Sequence, residues 1–118
     1  MKKIWDKAEL LTIEYLKKKE YKILETNFKF STLWEIDIIA QLWEITIFVE
    51  VKYRSSEKFW TWEESLSKNK LFKLQKTIEY YCVTHKIDFE KIQFDVISIS
   101  KWEQSYKLIH YKNQSLWK

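Results

Sequence analysis

Apolar side chains recur at helical spacing near the start of the chain, at Ile4, Ala8, Leu11, Tyr15 and Leu16, with lysines between them. That spacing predicts an amphipathic helix over residues 3–19, with Glu9 beside the apolar stripe. The period then changes. Residues 21–30 (YKILETNFKF) alternate enough to form a strand. Residues 36–40 (IDIIA) and 45–53 (ITIFVEVKY) are rich in β-branched side chains and nearly apolar on both faces. Such strands belong in the middle of a sheet covered by helices. Residues 55–64 predict a loop, and about 64–84 a second helix with Leu71, Leu74, Ile78 and Cys82 as its stripe. Residues 92–100 (IQFDVISIS) and 106–111 (YKLIHY) predict two last strands. The order α-β-β-β-α-β-β predicts one α/β domain, a mixed sheet flanked by helices, spanning residues 1–118.

Two carboxylates interrupt the apolar strands, Asp37 and Glu50, and Lys52 follows Glu50 by two. A two-residue hairpin loop at 43 and 44 would pair residue 42 with 45 and bring Asp37 directly opposite Glu50. Opposed residues share a face with Cβ atoms about 5 Å apart. Lys52 and Glu35 would point the same way. Adjacent carboxylates in a sheet repel each other and lose hydration. A hard divalent cation relieves both costs, and Mg²⁺ is commonly held by one or two carboxylates plus water and substrate phosphate. Lys52 beside such an ion could orient or deprotonate a water, or neutralise charge building on a phosphate. That set suits phosphodiester hydrolysis. From spacing alone, an ion-paired sheet edge with Lys52 bridging the acids is equally well supported.

Composition narrows the class. The net charge of +4 permits nucleic-acid binding without demanding it. No apolar run approaches the ~20 residues of a membrane span, and the charged N-terminus has no signal-peptide core. One cysteine, Cys82, cannot form an internal disulfide, so the expected compartment is a reducing cytoplasm. Four lysines (Lys68, Lys70, Lys73 and Lys76) crowd the second helix and could meet phosphates or simply solvate its face. Arg54 and residues 55–63 flank the carboxylates and could grip a nucleic-acid backbone. His85 and His110 are too far apart in sequence for a His-based metal site to be read, and each is expected to be structural.

The chain has seven tryptophans and neither glycine nor proline. Turns normally draw on glycine for positive φ. The abundant Lys and Ile have AT-rich codons, and Trp breaks that pattern. Two explanations are open: true tryptophans at a ligand surface or in the core, or an AT-rich gene in which UGA encodes glycine, read here as tryptophan. Trp5, Trp34, Trp43, Trp60, Trp62, Trp102 and Trp117 would then be glycines in the native protein. A glycine at 43 would suit the first position of a type II′ turn.

The order of features resembles the PD-(D/E)xK nuclease superfamily, with its restriction-endonuclease-like α-β-β-β-α-β core. More narrowly, the chain is similar to the YraN-like endonuclease family, related to archaeal Holliday-junction resolvases. WDKAELLTIEYL resembles that family's G-x-x-G-E…YL opening, with Glu9 on its glutamate. NFKFSTLWEIDIIA resembles its N-x-R…GEIDLIA, and IFVEVKYR its FVEVKxR. Lys70 and Leu74 match the helix after the loop, QFDVISI resembles RFDVI-x-I, and LIHYKNQ its closing I-x-H-x-x-N. Trp5, Trp34 and Trp60 fall where the family carries glycine. Ala8 and Glu20 also replace family glycines, and Lys29 replaces an arginine.

The resemblance implies a metal-dependent endonuclease acting on DNA, possible substrates being branched or flapped forms met in repair or recombination. Asp37 and Glu50 would hold Mg²⁺ or Mn²⁺, and Lys52 would act on the attacking water. Glu9 would reach the same cluster directly or through a water. Glu35 would tune the site or hold a second ion, and Arg54 and Lys70 would contact substrate. A resolvase needs two sites, hence a homodimer. The competing classes are a non-catalytic nucleic-acid-binding module on the same fold, and a structural partner whose acids are ion pairs.

Overall fold

The computed structural model describes residues 4–31, 34–54 and 67–116. The expected 55–63 loop and Trp60, Trp62 and Trp117 lie outside the described residues. The elements follow the expected order: α1 (Ile4–Lys18), β1 (Lys22–Lys29), β2 (Glu35–Leu42), β3 (Ile45–Arg54), α2 (Lys68–Thr84), β4 (Ile92–Trp102) and β5 (Ser105–Tyr111). A short 3₁₀ turn, Phe89–Lys91, precedes β4. The second helix starts later than its pattern suggests. Ser67 caps it by accepting a hydrogen bond from the Lys70 N–H, so Lys68 is the first helical residue. No helix among the described residues is long and apolar enough to cross a membrane.

The five strands lie in the order β1-β2-β3-β4-β5. All neighbours are antiparallel except β3 and β4, which run parallel from Thr46↔Ile92 to Arg54↔Ser100. A parallel pair needs a crossover, and the segment that includes α2 supplies it. The sheet is covered on both sides. Ala8 and Leu16 of α1 pack on Ile38, Ala40, Ile47, Val49, Ile97 and Ile99. Leu74, Ile78, Tyr81 and Cys82 of α2 pack with Ile36, Ile39, Phe48, Phe94 and Val96 on the other side. This is why β2, β3 and β4 read as nearly continuous apolar runs. Each large side chain so buried stabilises the fold by about 1.5–3 kcal/mol. The result is a mixed sheet between two helices, the restriction-endonuclease-like core.

Without glycine, left-handed backbone falls on other residues. Among the described residues Glu20, Asn27, Ser31, Trp43, Lys86, Glu103 and Asn113 have φ between 52° and 70°. Glu20 closes α1: its N–H donates to the Lys17 carbonyl and the Tyr21 N–H to Leu16. That is a Schellman motif with glutamate where glycine is usual. Lys86 closes α2 the same way, through Lys86 N–H to Val83 and Ile87 N–H to Cys82. The β2–β3 register runs from Ile38↔Val49 to Leu42↔Ile45, which confirms the two-residue loop at Trp43 and Glu44. Trp43 has φ 58° and Glu44 has no positive φ, as a type II′ turn requires. The Trp43 side chain is 88% exposed and packs into no core. Trp34 and Trp102 show no such need. Neither has positive φ, and Trp102 ends β4 rather than following it, leaving Glu103 to make the turn.

A left-handed non-glycine residue costs about 1–2 kcal/mol. Trp43→Gly should therefore raise the melting temperature by about 4 °C, measured by calorimetry. An unchanged or lowered melting temperature would remove the case for glycine at this turn.

Candidate functional site

The site forms where the β2–β3 ladder stops. Regular pairing ends at Ile38↔Val49, one step short of Asp37 and Glu50. On the other side of β2, pairing skips from Thr26↔Ile38 to Phe28↔Ile36 and again omits Asp37. Asp37 spends its hydrogen-bonding capacity elsewhere: its Oδ2 accepts the Val51 N–H at 2.8 Å. This ties the end of β2 to β3 through a side chain instead of a backbone pair. The cleft at this point is lined by Ala8, Glu9, Glu35, Asp37, Glu50, Val51 and Tyr53, with a volume of about 270 Å³.

Each element delivers its residue for a local reason. Ala8 is small and buried, which seats α1 against the sheet. Glu9, the next residue, is largely buried and turns into the cleft. Its two oxygens accept from Asn27 Nδ2 at 3.2 and 3.4 Å. Glu35 opens β2 and pairs with Lys29 Nζ at 3.7 Å. Glu50 sits in the middle of β3, whose parallel ladder with β4 pairs Glu50 with Val96 and Lys52 with Ser98. Lys52 Nζ lies 3.5 Å from Glu50 Oε2, with side chains 21% and 6% exposed.

Burial dominates the electrostatics. Desolvation, then the Glu50 charge, pushes the Asp37 carboxyl up to about 8, against the Val51 N–H, which lowers it. Glu50 is also raised by desolvation, opposed first by the Lys52 ammonium. Trp34 lies close enough to Glu50 to favour its charged form, yet its buried Nε1 makes no hydrogen bond. Glu50 Oε1 is likewise buried and accepts no hydrogen bond. Two carboxyls that resist ionisation side by side, one with an unspent buried oxygen, fit a hard divalent cation. Among the described residues no group of three or more His, Cys, Asp or Glu converges on one cation position. The Asp37–Glu50 pair could supply two oxygens to such an ion, within the range Mg²⁺ uses when water and phosphate complete its shell.

The structure brings together Glu9, Glu35, Asp37 and Glu50, with Lys52 beside Glu50. Arg54 ends β3, half-buried, and does not line the cleft. Lys70 is exposed in the first turn of α2 and does not line it either. Asn27 and Tyr53 were missed as site residues, although Asn27 stands in the quoted NFK segment. The histidines stand apart. His110 Nε2 meets the fully buried Asp95 at 2.7 Å and its Nδ1 meets the Tyr15 hydroxyl at 2.9 Å. Asp95 Oδ1 also accepts from Gln93 Nε2 and the Asn113 N–H, both at 2.9 Å. This network ties β4 and β5 to α1. Burial raises the Tyr15 hydroxyl pKa, which does not suit a nucleophile. Cys82 is buried and pushed up to about 11, so it serves as a small core side chain.

Fold and cleft together define an α/β protein with a restriction-endonuclease-like core and a carboxylate–lysine cleft at the end of its central hairpin. The chain belongs to the uncharacterised protein family UPF0102, also called YraN, whose family model matches residues 8–99. It is 40% identical over 114 residues to a UPF0102 protein of Alkaliphilus oremlandii, covering 95% of this chain and 97% of the relative. A UPF0102 protein of Flavobacterium psychrophilum is 40% identical over 106 residues, covering 90% and 87%. One from Dictyoglomus thermophilum is 41% identical over 98 residues, covering 83% and 82%.

The raised Asp37 carboxyl has a consequence for stability. The folded protein holds this proton more tightly than the unfolded chain. Its contribution is thus fully present below about pH 4 and is lost as the pH rises through about 8. Without divalent cations, wild-type melting temperature should fall between pH 6 and 9, and Asp37→Asn should flatten that fall. Parallel pH profiles for the two proteins would contradict the assignment.

Proposed function

We propose that this protein is a Mg²⁺-dependent endonuclease that hydrolyses phosphodiester bonds in DNA. Branched or flapped DNA of the kind met in repair and recombination is the substrate class. The observation that carries the reading is that two buried carboxyls, Asp37 and Glu50, line one open cleft while Lys52 Nζ lies 3.5 Å from Glu50 Oε2. A purely structural ion pair needs only one acid for its lysine. Here a second carboxyl is buried against the first at a cost in stability, which a binding module without chemistry gains nothing from.

When bound, Mg²⁺ supplies a Lewis acid that polarises the phosphate and favours an ionised attacking water. Asp37 and Glu50 would hold it in their deprotonated forms. Lys52, in contact with Glu50, would orient the water or offset charge building on the phosphate. Glu9 adds a further carboxylate from α1. Arg54, at the end of β3, and Lys70, at the start of α2, lie outside the cleft and would contact flanking phosphates, the salt-sensitive part of DNA affinity.

The protein incubated with Mg²⁺ and linear, flapped and four-way DNA should cleave at least one of them. Lys52→Ala should reduce the rate at least ~100-fold with DNA binding retained, as read on gels and by anisotropy. Binding without cleavage in the wild type would leave the non-catalytic nucleic-acid-binding module as the reading. Cleavage undiminished in Lys52→Ala would remove the lysine from the chemistry.

A further inference from the structure

Asn27 is an exposed residue of β1 with a left-handed backbone, φ 53°. Its place in the sheet is set by the flanking pairs Thr26↔Ile38 and Phe28↔Ile36, which put it across from Asp37, where the ladder is interrupted. Asn27, Asp37 and Glu50 therefore form one row across β1, β2 and β3. Asparagine tolerates left-handed φ better than other non-glycine residues. The turned backbone goes with a side chain that serves the cleft instead of continuing the strand.

Asn27 Nδ2 donates to Glu9 Oε1 at 3.2 Å and Oε2 at 3.4 Å, and to Glu35 Oε2 at 3.4 Å. One amide nitrogen thus faces three oxygens of two carboxylates. It carries two hydrogens and can only donate, so both acids act as acceptors there. Glu9 comes from α1 and Glu35 from β2, and both line the same cleft as Asp37 and Glu50. Without a donor between them, the two charges would repel across the cleft mouth. The usual remedy for carboxylates so placed is a cation. Here the partial positive charge of an amide occupies that position.

We propose that Asn27 is a positioning residue that bridges Glu9 to Glu35, standing where a second cation would otherwise sit and so keeping the cleft a one-ion site. The expectation that Glu35 holds a second ion of its own is replaced by this role. The inference rests on the Asp37–Glu50 pair holding the first ion, as in the proposed function, but needs no cleavage to test it. Because Asn27 is exposed, replacing it leaves no buried cavity. Glycine keeps the backbone conformation and removes the amide, while aspartate keeps the shape and exchanges the donor for a third carboxylate.

The test is the number of Mn²⁺ ions bound by the full chain, by calorimetry and by electron paramagnetic resonance, with melting temperatures recorded alongside. Wild type should bind one ion, and Asp37→Asn should lose it. Asn27→Asp should bind two. Asn27→Gly should admit the second ion at least tenfold more weakly than Asn27→Asp does. All variants should melt within a few degrees of wild type. One ion in all three Asn27 forms with the same affinity would overturn the bridge while leaving the metal site standing. Two ions in wild type would overturn the one-ion reading. No ion in wild type would overturn the bridge and the metal-dependent function together.

Discussion

The structure turns on two carboxyl groups that cannot comfortably coexist. Asp37 and Glu50 meet in a desolvated corner where β2 and β3 part; burial makes both harder to ionise, and the Glu50 charge raises Asp37 further. The surrounding fold leaves them little room to separate. The two-residue loop fixes the β2–β3 register, the nine-pair parallel ladder with β4 fixes β3, and helices cover both faces. Lys52 and the Val51 N–H offset part of the repulsion. The remainder is an imbalance that the stability of the two apolar clusters holds in place.

Much of this was legible in the sequence because it depends on short-range periodicity. The apolar runs gave the sheet its middle strands, and the loop length alone placed Asp37 opposite Glu50. Spacing put Glu9 beside the α1 stripe, but its reach toward the cleft was implied only by the family resemblance. Other features needed distances that no local pattern carries. The role of Asn27 depends on a β1–β2 register that shifts between Ile23 and Glu25 and on a backbone turned to positive φ. The start of α2 is expected at about residue 64, where the predicted loop ends, whereas Ser67 decides the boundary through its cap. Asp95 stood in view within QFDVISI, but its partner His110 lies on β5, 15 residues away, and is itself held by Tyr15 of α1.

The absence of glycine is written into the backbone. Both helices end in Schellman motifs whose left-handed residue is charged, and the two-residue loops after β2 and β4 begin on Trp43 and Glu103 at positive φ. At Trp43 conformation and exposure both ask for glycine. Trp34 bears on function differently. Its indole sits beside Glu50 with an unsatisfied N–H. A glycine there would remove that cover and leave Glu50 more open to solvent and substrate.

The most direct measurement is the anomalous signal of Mn²⁺ in crystals of the protein, collected with and without the ion. The account predicts a single site bound by a carboxylate oxygen of Asp37 and one of Glu50, at about 2.2 Å. Density for an ion elsewhere, or none at millimolar Mn²⁺ with both side chains unmoved, would contradict it.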